Sequence, residues 1–315
     1  MTPAKSLTGL GPESEVPLGL VGLLKQVVSD YRSNLVLILP QLLGALVNGL
    51  ILPSLRSNLL SRMATSRLVS NALGAFFGPV SYSVDFLVLV GQVSMTGKVV
   101  LTGKTVLKDW WDGLRRFFWR VLGVEIAIGI MAILGAVPFV LAVMVYNWSF
   151  HANFLGQATS YLTVFYWVNY LLGPVTSAIL YMCLASAVVS DLNFGASIRS
   201  GWSAAKKTRR AFLVLVGFLC LMEAATYALT RVDSWTGGYV PSLGNTILSL
   251  FGILANIIWT LLTPLIILMA FRIYGESSVA KSIQAAKAAE AKVCRCCGGR
   301  IPQQAKYCSD CGIQV

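Results

Sequence analysis

Five of the chain's seven cysteines fall in its last twenty-two residues, as Cys294-Arg-Cys296-Cys297-Gly298 and Cys308-Ser-Asp-Cys311-Gly312. Thiolates bind Zn²⁺ tetrahedrally, and these two Cys-x-x-Cys-Gly knuckles supply four of them. Each glycine allows the tight turn that aims backbone amides at sulfur. Cys294, Cys297, Cys308 and Cys311 are therefore the expected ligands of one zinc ion. Four thiolates leave no open coordination position, which makes the ion structural rather than catalytic. The ten residues between the knuckles are too few to form a core, so folding of this tail is expected to depend on the metal. Cys296 is surplus, free to replace a neighbour as ligand or to remain a thiol. A redox dithiol is the competing reading, but one Cys-x-x-Cys would serve it and no strand-helix-strand pattern surrounds either pair.

The other residues with chemical capacity lie in apolar surroundings. Asp85, Glu125 and Glu223 fall inside long hydrophobic segments, with Gln92, Asn169 and Asn256 as polar company. A carboxylate inside a membrane is costly unless paired, hydrated or protonated, so each marks a candidate intramembrane site for a cation or proton. Interhelical hydrogen bonding, or a position near the interface, is the plainer alternative. His151 is the only histidine, so no histidine-based triad or metal site can be assembled. No phosphate-binding glycine loop, His-Glu-x-x-His helix or Gly-x-Ser-x-Gly elbow occurs, and the reading is of a protein without catalytic activity.

These residues are carried by a chain that is 56% hydrophobic and 12% charged, with a mean hydropathy of +0.71. Soluble domains carry about 25% charged residues. The composition predicts an all-α polytopic membrane protein: a six-helix transmembrane bundle with interfacial amphipathic helices and a small C-terminal four-cysteine zinc ribbon. Crossing the hydrocarbon takes about 20 mostly apolar residues, and 34–54, 79–101, 118–146, 158–190, 210–230 and 244–272 qualify. The corresponding division is 1–33, a cytoplasmic N-terminal segment with an interfacial helix; 34–273, the membrane domain; 274–293, an Ala/Lys-rich helical linker; and 294–315, the ribbon. The linker reads as an exposed, semi-rigid spacer.

Orientation follows from the connections. Residues 98–120 and 191–210 are rich in Lys and Arg, whereas 147–157 has none, which puts both basic loops and both termini in the cytoplasm of a multi-pass protein of the cell membrane. The reducing cytoplasm also suits a thiolate zinc site. The net charge of +12 thereby reads as topology rather than nucleic-acid binding. Arg56, Arg62 and Arg67 fall on the outer side, and the stretch 55–77 is expected to lie along that interface with its arginines reaching headgroups. His151 and the aromatics Trp148, Tyr161, Tyr166, Trp167, Tyr170, Trp235 and Tyr239 belong to an outer loop and aromatic belt. An internal repeat, Arg-Arg-x-Phe-x-x-x-x-Gly, recurs at 115–123 and 209–217. It suggests a unit of interfacial helix plus transmembrane hairpin, with Leu20–Arg32 opening a degenerate third copy. Arg115, Arg116, Arg209 and Arg210 are its expected contacts to anionic lipid headgroups.

Residues 294–312, with Ile301-Pro302 between the knuckles and Ala305-Lys306-Tyr307 before Cys308, resemble the short zinc-ribbon domains of many prokaryotic proteins. That resemblance implies a small metal-organised fold of the kind that recruits other macromolecules. The membrane part is loosely similar to uncharacterised prokaryotic families related to the membrane domain of glycerophosphodiester phosphodiesterases. This likeness rests on interfacial helices followed by spans and on Val188-Val189-Ser190-Asp191-Leu192. It implies no enzyme activity, because nothing in this chain corresponds to their catalytic domain. The expected function is a membrane-anchored adaptor or envelope-organising protein, with membrane lipids and a cytoplasmic protein as partners. The alternative is a small-solute transporter or channel regulated by the tail. A nucleic-acid tether is disfavoured, since the ribbon has only Arg295, Arg300 and Lys306 as cations and Tyr307 as its one aromatic.

Overall fold

The computed structural model describes residues 19–63, 67–150, 158–236, 241–289, 292–293 and 300–301. Ten α-helices follow one another there: α1 (Leu20–Ser33), α2 (Ile38–Leu46), α3 (Leu52–Met63), α4 (Arg67–Thr102), α5 (Lys108–Phe150), α6 (Ala158–Val189), α7 (Phe194–Lys207), α8 (Arg209–Thr236), α9 (Pro241–Glu276) and α10 (Ser278–Ala289). Two short strands, β1 (Lys292–Val293) and β2 (Arg300–Ile301), pair antiparallel. Among the described residues five helical stretches are long and apolar enough to cross a membrane: Leu35–Leu59, Ala75–Thr102, Lys108–Phe139, Leu172–Val189 and Ile257–Glu276. This is the architecture of a helical membrane protein. The segment expected at 210–230 lies within α8, whose described part carries Arg209, Arg210 and Glu223.

Several helix breaks have local causes. Asn34 leaves helical geometry after α1, and its side chain donates to the carbonyls of Asp30 (2.9 Å) and Gly103 (3.1 Å) and accepts from the Thr105 amide (3.1 Å). A single 3-10 turn then leads into α2. Pro53 has no N–H for the carbonyl four residues earlier, and the helix absorbs this with a widened π segment at Val47–Ile51 before α3 continues. The stretch 55–77, expected to lie along the outer interface, is instead split between two packed arms of a helical hairpin, α3 and the start of α4. Helix α4 stops at Gly103, whose φ of +80° is the left-handed conformation glycine adopts readily, with its N–H returned to Val99.

Among the described residues the core is concentrated at one end of the bundle. Every residue of 90–97 in α4, 182–190 in α6 and 266–271 in α9 is buried, the pattern of helices surrounded on all sides. The three run parallel. Gly97 sits beside Val188 and Phe271, and Gly275 beside Val100. Around them pack α1, the first turns of α5, α7 and α10. Towards the other end, Leu42, Leu46 and Leu50 on the first span and Ile130, Ile133 and Leu134 on α5 are exposed, as lipid-facing residues should be.

Close approach and polar fasteners make this end. The space a Gly201 side chain would need is already filled by Cys183, with its Cα 2.6 Å and its backbone nitrogen 2.7 Å from a β-carbon position. The backbones of α6 and α7 therefore nearly touch, as small residues permit in membrane bundles. Tyr274 of α9, wholly buried, places its hydroxyl 2.9 Å from Ser190 at the end of α6 and 2.8 Å from Ser200 of α7. One phenol thus fastens three helices. Arg272 pairs with Asp30 at 2.6 Å, and the Tyr31 hydroxyl donates to the Leu261 carbonyl (2.7 Å) in the turn before Pro264, so α1 is tied to α9 at two places.

The linker expected at 274–293 is helical over Ser278–Ala289 and mostly exposed from Lys281 to Ala286, but its first turn is packed. Helix α9 runs through Glu276, and Ser277 caps α10 by accepting from the Ala280 amide (3.2 Å). Val279 and Ala280 are buried as α10 packs against α7 and α9. Small side chains let it dock.

Tyr274→Phe leaves the Ser190 and Ser200 hydroxyls without their shared partner and is expected to cost about 1–3 kcal/mol, read as earlier thermal unfolding in detergent. Gly201→Leu should displace α7 and lower stability further, because its side chain would run into the Cys183 backbone.

Candidate functional site

Two of the three carboxylates expected inside the membrane make described side-chain hydrogen bonds. Asn48, in the π segment, donates to Asp85 of α4 at 2.6 Å. One turn away on α4, Tyr82 donates to Glu125 of α5 at 3.0 Å. Tyr181 of α6 lies within electrostatic reach of both Glu125 and Glu223. Glu223 of α8 is set against Gly173, its Oε1 3.2 Å from where a β-carbon would stand. Tyr82 and Asp85 are exposed, whereas Glu125 and Glu223 are half-buried. Asn169 and Asn256 have side chains outside those described.

The four arginines expected at headgroups divide. Arg115 lies 5.6 Å over the Trp111 ring and is exposed, and Arg209 and Arg210, opening α8, are exposed as well. Arg116 instead shares Asp191 with Arg120, at 3.0 Å for its own contact. Its side chain is nevertheless 62% exposed. Across the repeat, a β-carbon at Gly123 would lie 3.3 Å from the Phe194 ring, whereas one at Gly217 would meet open space. Arg115-Arg116 lies mid-helix in α5, while Arg209-Arg210 follows the break at Thr208. The matched positions do not share roles.

The basic end nevertheless has a consistent surface. Trp111–Arg115 and Trp202–Lys206 are two cation–π pairs at four-residue spacing, the second at 5.3 Å, with both tryptophans exposed. Lys104, Lys108, Lys207, Arg209 and Arg210 are exposed and enter no described ion pair. Lys98, in contrast, pairs with buried Asp109, which also accepts from the Val106 amide (2.8 Å) and the Thr105 hydroxyl (3.0 Å) to secure the start of α5. Neither Tyr274 nor this Asp109 network was marked by the sequence. Their partners are set by packing, and no motif encodes them.

No family model, curated protein or solved structure matches this chain. The residues alone must carry the reading. Cys294, Cys297, Cys308 and Cys311, with Cys296, lie outside the described residues, as does His151; the expected outer aromatics have side chains outside them too. Among the described residues no group of three metal-ligating side chains occurs. Near them, Lys292 pairs with Ile301 and Val293 with Arg300 in a short antiparallel ladder.

Asp191, in the turn between α6 and α7, has a φ of +48° and joins α5 to that turn through Arg116 and Arg120. Burial pushes its carboxyl up, but the Arg120 hydrogen bond and the charges of Arg116 and Arg120 more than offset this and hold it below the usual carboxylate range. A depressed folded value means the stabilisation is complete above the unfolded value, about 3.9, and is lost as pH falls through the folded one. Asp191→Asn should therefore unfold earlier than the natural protein at neutral pH. The gap between the two melting curves should close as the pH falls below about 4.

Proposed function

We propose that this chain is a non-catalytic integral membrane protein that holds a cytoplasmic zinc ribbon against the membrane as an adaptor or envelope-organising platform. The observation that carries the reading is the docking of α10 on α7 and α9. It holds the first turn of α10 against the basic end of the bundle, and β1 begins three residues after α10 ends. A tail meant to roam would have no use for a buried Val279 and Ala280.

In this reading α8 also crosses the membrane, as the fifth of six spans in chain order. Its 28 residues reach about 42 Å at the helical rise, more than the hydrocarbon requires. Both termini are cytoplasmic, since α1, the start of α5 and α7 gather the unpaired cations at one end. Exposed Arg115, Arg209 and Arg210 face anionic headgroups there, each contributing about 1 kcal/mol. The zinc ion is held by Cys294, Cys297, Cys308 and Cys311 and organises the ribbon; it supplies no chemistry to a substrate. The ribbon recruits a cytoplasmic protein, and nucleic acid is not its partner.

The test is in-cell crosslinking and recovery of the intact protein beside a Cys308→Ser, Cys311→Ser variant at equal membrane levels. A cytoplasmic protein captured only with the zinc site intact is the expected result. The same captured set from both forms would remove the ribbon from the function.

A further inference from the structure

Helices α1 and α7 align residue for residue, Leu20–Ser33 on Phe194–Lys207, 14 residues each and each ending at a break, Asn34 or Thr208. Both bury the same two positions, Leu23 and Val27 in α1 and Ser197 and Gly201 in α7. Both also turn the same polar row outward: Lys25, Ser29 and Arg32 in one, Arg199, Ser203 and Lys206 in the other. The four cations are exposed, as is Ser29, and Ser203 is half-buried. A cation, a serine four residues on and a second cation three beyond it share one helix face. The start of α5 keeps the spacing with Lys108 and Arg115, but Asp112 stands where the serines are.

Passing round each helix from its buried side, an apolar strip comes first, Leu24 and Val28 in α1 and Ile198 and Trp202 in α7. The two cations follow, and then the serine. That order suits a helix lying along a membrane surface, with the strip towards acyl chains and the cations among headgroups. No acid competes for them on these helices. Asp30, the one acid of α1, is turned to Arg272, and α7 has none. Lys25, Arg32 and Arg199 enter no described ion pair, and the described contact of Lys206 is with Trp202 on its own helix. Along α1, Lys25, Ser29 and Arg32 with Val21, Leu24 and Val28 line an open hollow of about 580 Å³.

Resting on the reading that this end of the bundle faces anionic headgroups, we propose that α1 and α7 are two equivalent clamps, each holding one anionic phospholipid by its phosphate. The serine hydroxyl and both cations donate to the phosphate oxygens, arginine as a planar fork and lysine as a point charge. The apolar strip beside them lies against the lipid's acyl chain. Two cations around one phosphate disfavour the ammonium of a choline or ethanolamine headgroup, so the clamps select lipids of net negative charge. In α5 the Asp112 carboxylate repels phosphate, and that helix is not a third clamp.

Native mass spectrometry of the full-length protein, delipidated in detergent and titrated with phosphatidylglycerol or phosphatidylcholine, tests this. Two tightly retained phosphatidylglycerol molecules are expected. Lys25→Ala with Arg32→Ala should remove one, and Arg199→Ala with Lys206→Ala the other. These side chains are exposed, so the variants should still fold. Ser29→Ala with Ser203→Ala keeps every charge and should weaken retention several-fold. Equal retention of the two lipids, or an unchanged count in both cation variants, would overturn the clamps. Arg209→Ala with Arg210→Ala should strip loosely held phosphatidylglycerol and leave these two in place. Loss of the two there as readily as in the clamp variants would overturn discrete sites in favour of diffuse attraction. Two lipids kept with no loss of the looser ones would support the clamps while removing Arg209 and Arg210 from the headgroup reading.

Discussion

In hydrocarbon an apolar side chain gains nothing by leaving lipid for another helix, so association of membrane helices must come from close packing and from polar groups that find each other. In this protein that requirement is met mainly at one end. Gly201 lets α7 lie directly on the Cys183 backbone, and the Tyr274 hydroxyl joins Ser190 and Ser200. Ser186 adds a bond to the Ser197 carbonyl at 2.7 Å across the same contact. Without these contacts α7 would be a free amphipathic helix, and α10 would lose one of the two surfaces it packs on.

The consequence is a division of labour along the bundle axis. At the packed end, the buried ends of α4, α6 and α9 are ringed by α1, the start of α5, α7 and α10. Two polar clasps hold this ring: Arg272 with Asp30, and Lys98 with Asp109. The cations left over face outward beside exposed tryptophans, the arrangement that suits an anionic interface. Away from that end the helices expose aliphatic residues, and Asn48 with Asp85 and Tyr82 with Glu125 form two polar pairs between helices.

The sequence made much of the membrane architecture legible, because a run of apolar residues long enough to span is a property of composition and needs no partner. The amphipathic helix at Leu20–Arg32 was legible for the same reason. Contacts between distant segments were not. The pairing of Arg116 with Asp191, seventy-five positions later, is one such contact. The Ala/Lys pattern after Ser277 correctly indicated helix, but alanine favours helix whether it faces water or another helix, so the docking of Val279 and Ala280 was invisible. Arg56 and Arg62 suggested an interfacial helix, whereas Pro53 is accommodated by a π segment that lets the first span continue. For the two polar pairs, each carboxylate could be picked out singly, yet its partner Asn48 or Tyr82 followed only from helix register.

On this reading the bundle holds the cysteine-rich tail through a docked α10, and zinc orders only the residues beyond that helix. Hydrogen–deuterium exchange of the full-length protein in nanodiscs, zinc-loaded and metal-stripped, separates the two contributions. Strong protection of 182–190, 194–207 and the first turns of α10 is expected in both states, with protection from 292 onward only when zinc is bound. Exchange of the α10 amides at the rate of an unstructured linker, with or without metal, would refute the docked arrangement.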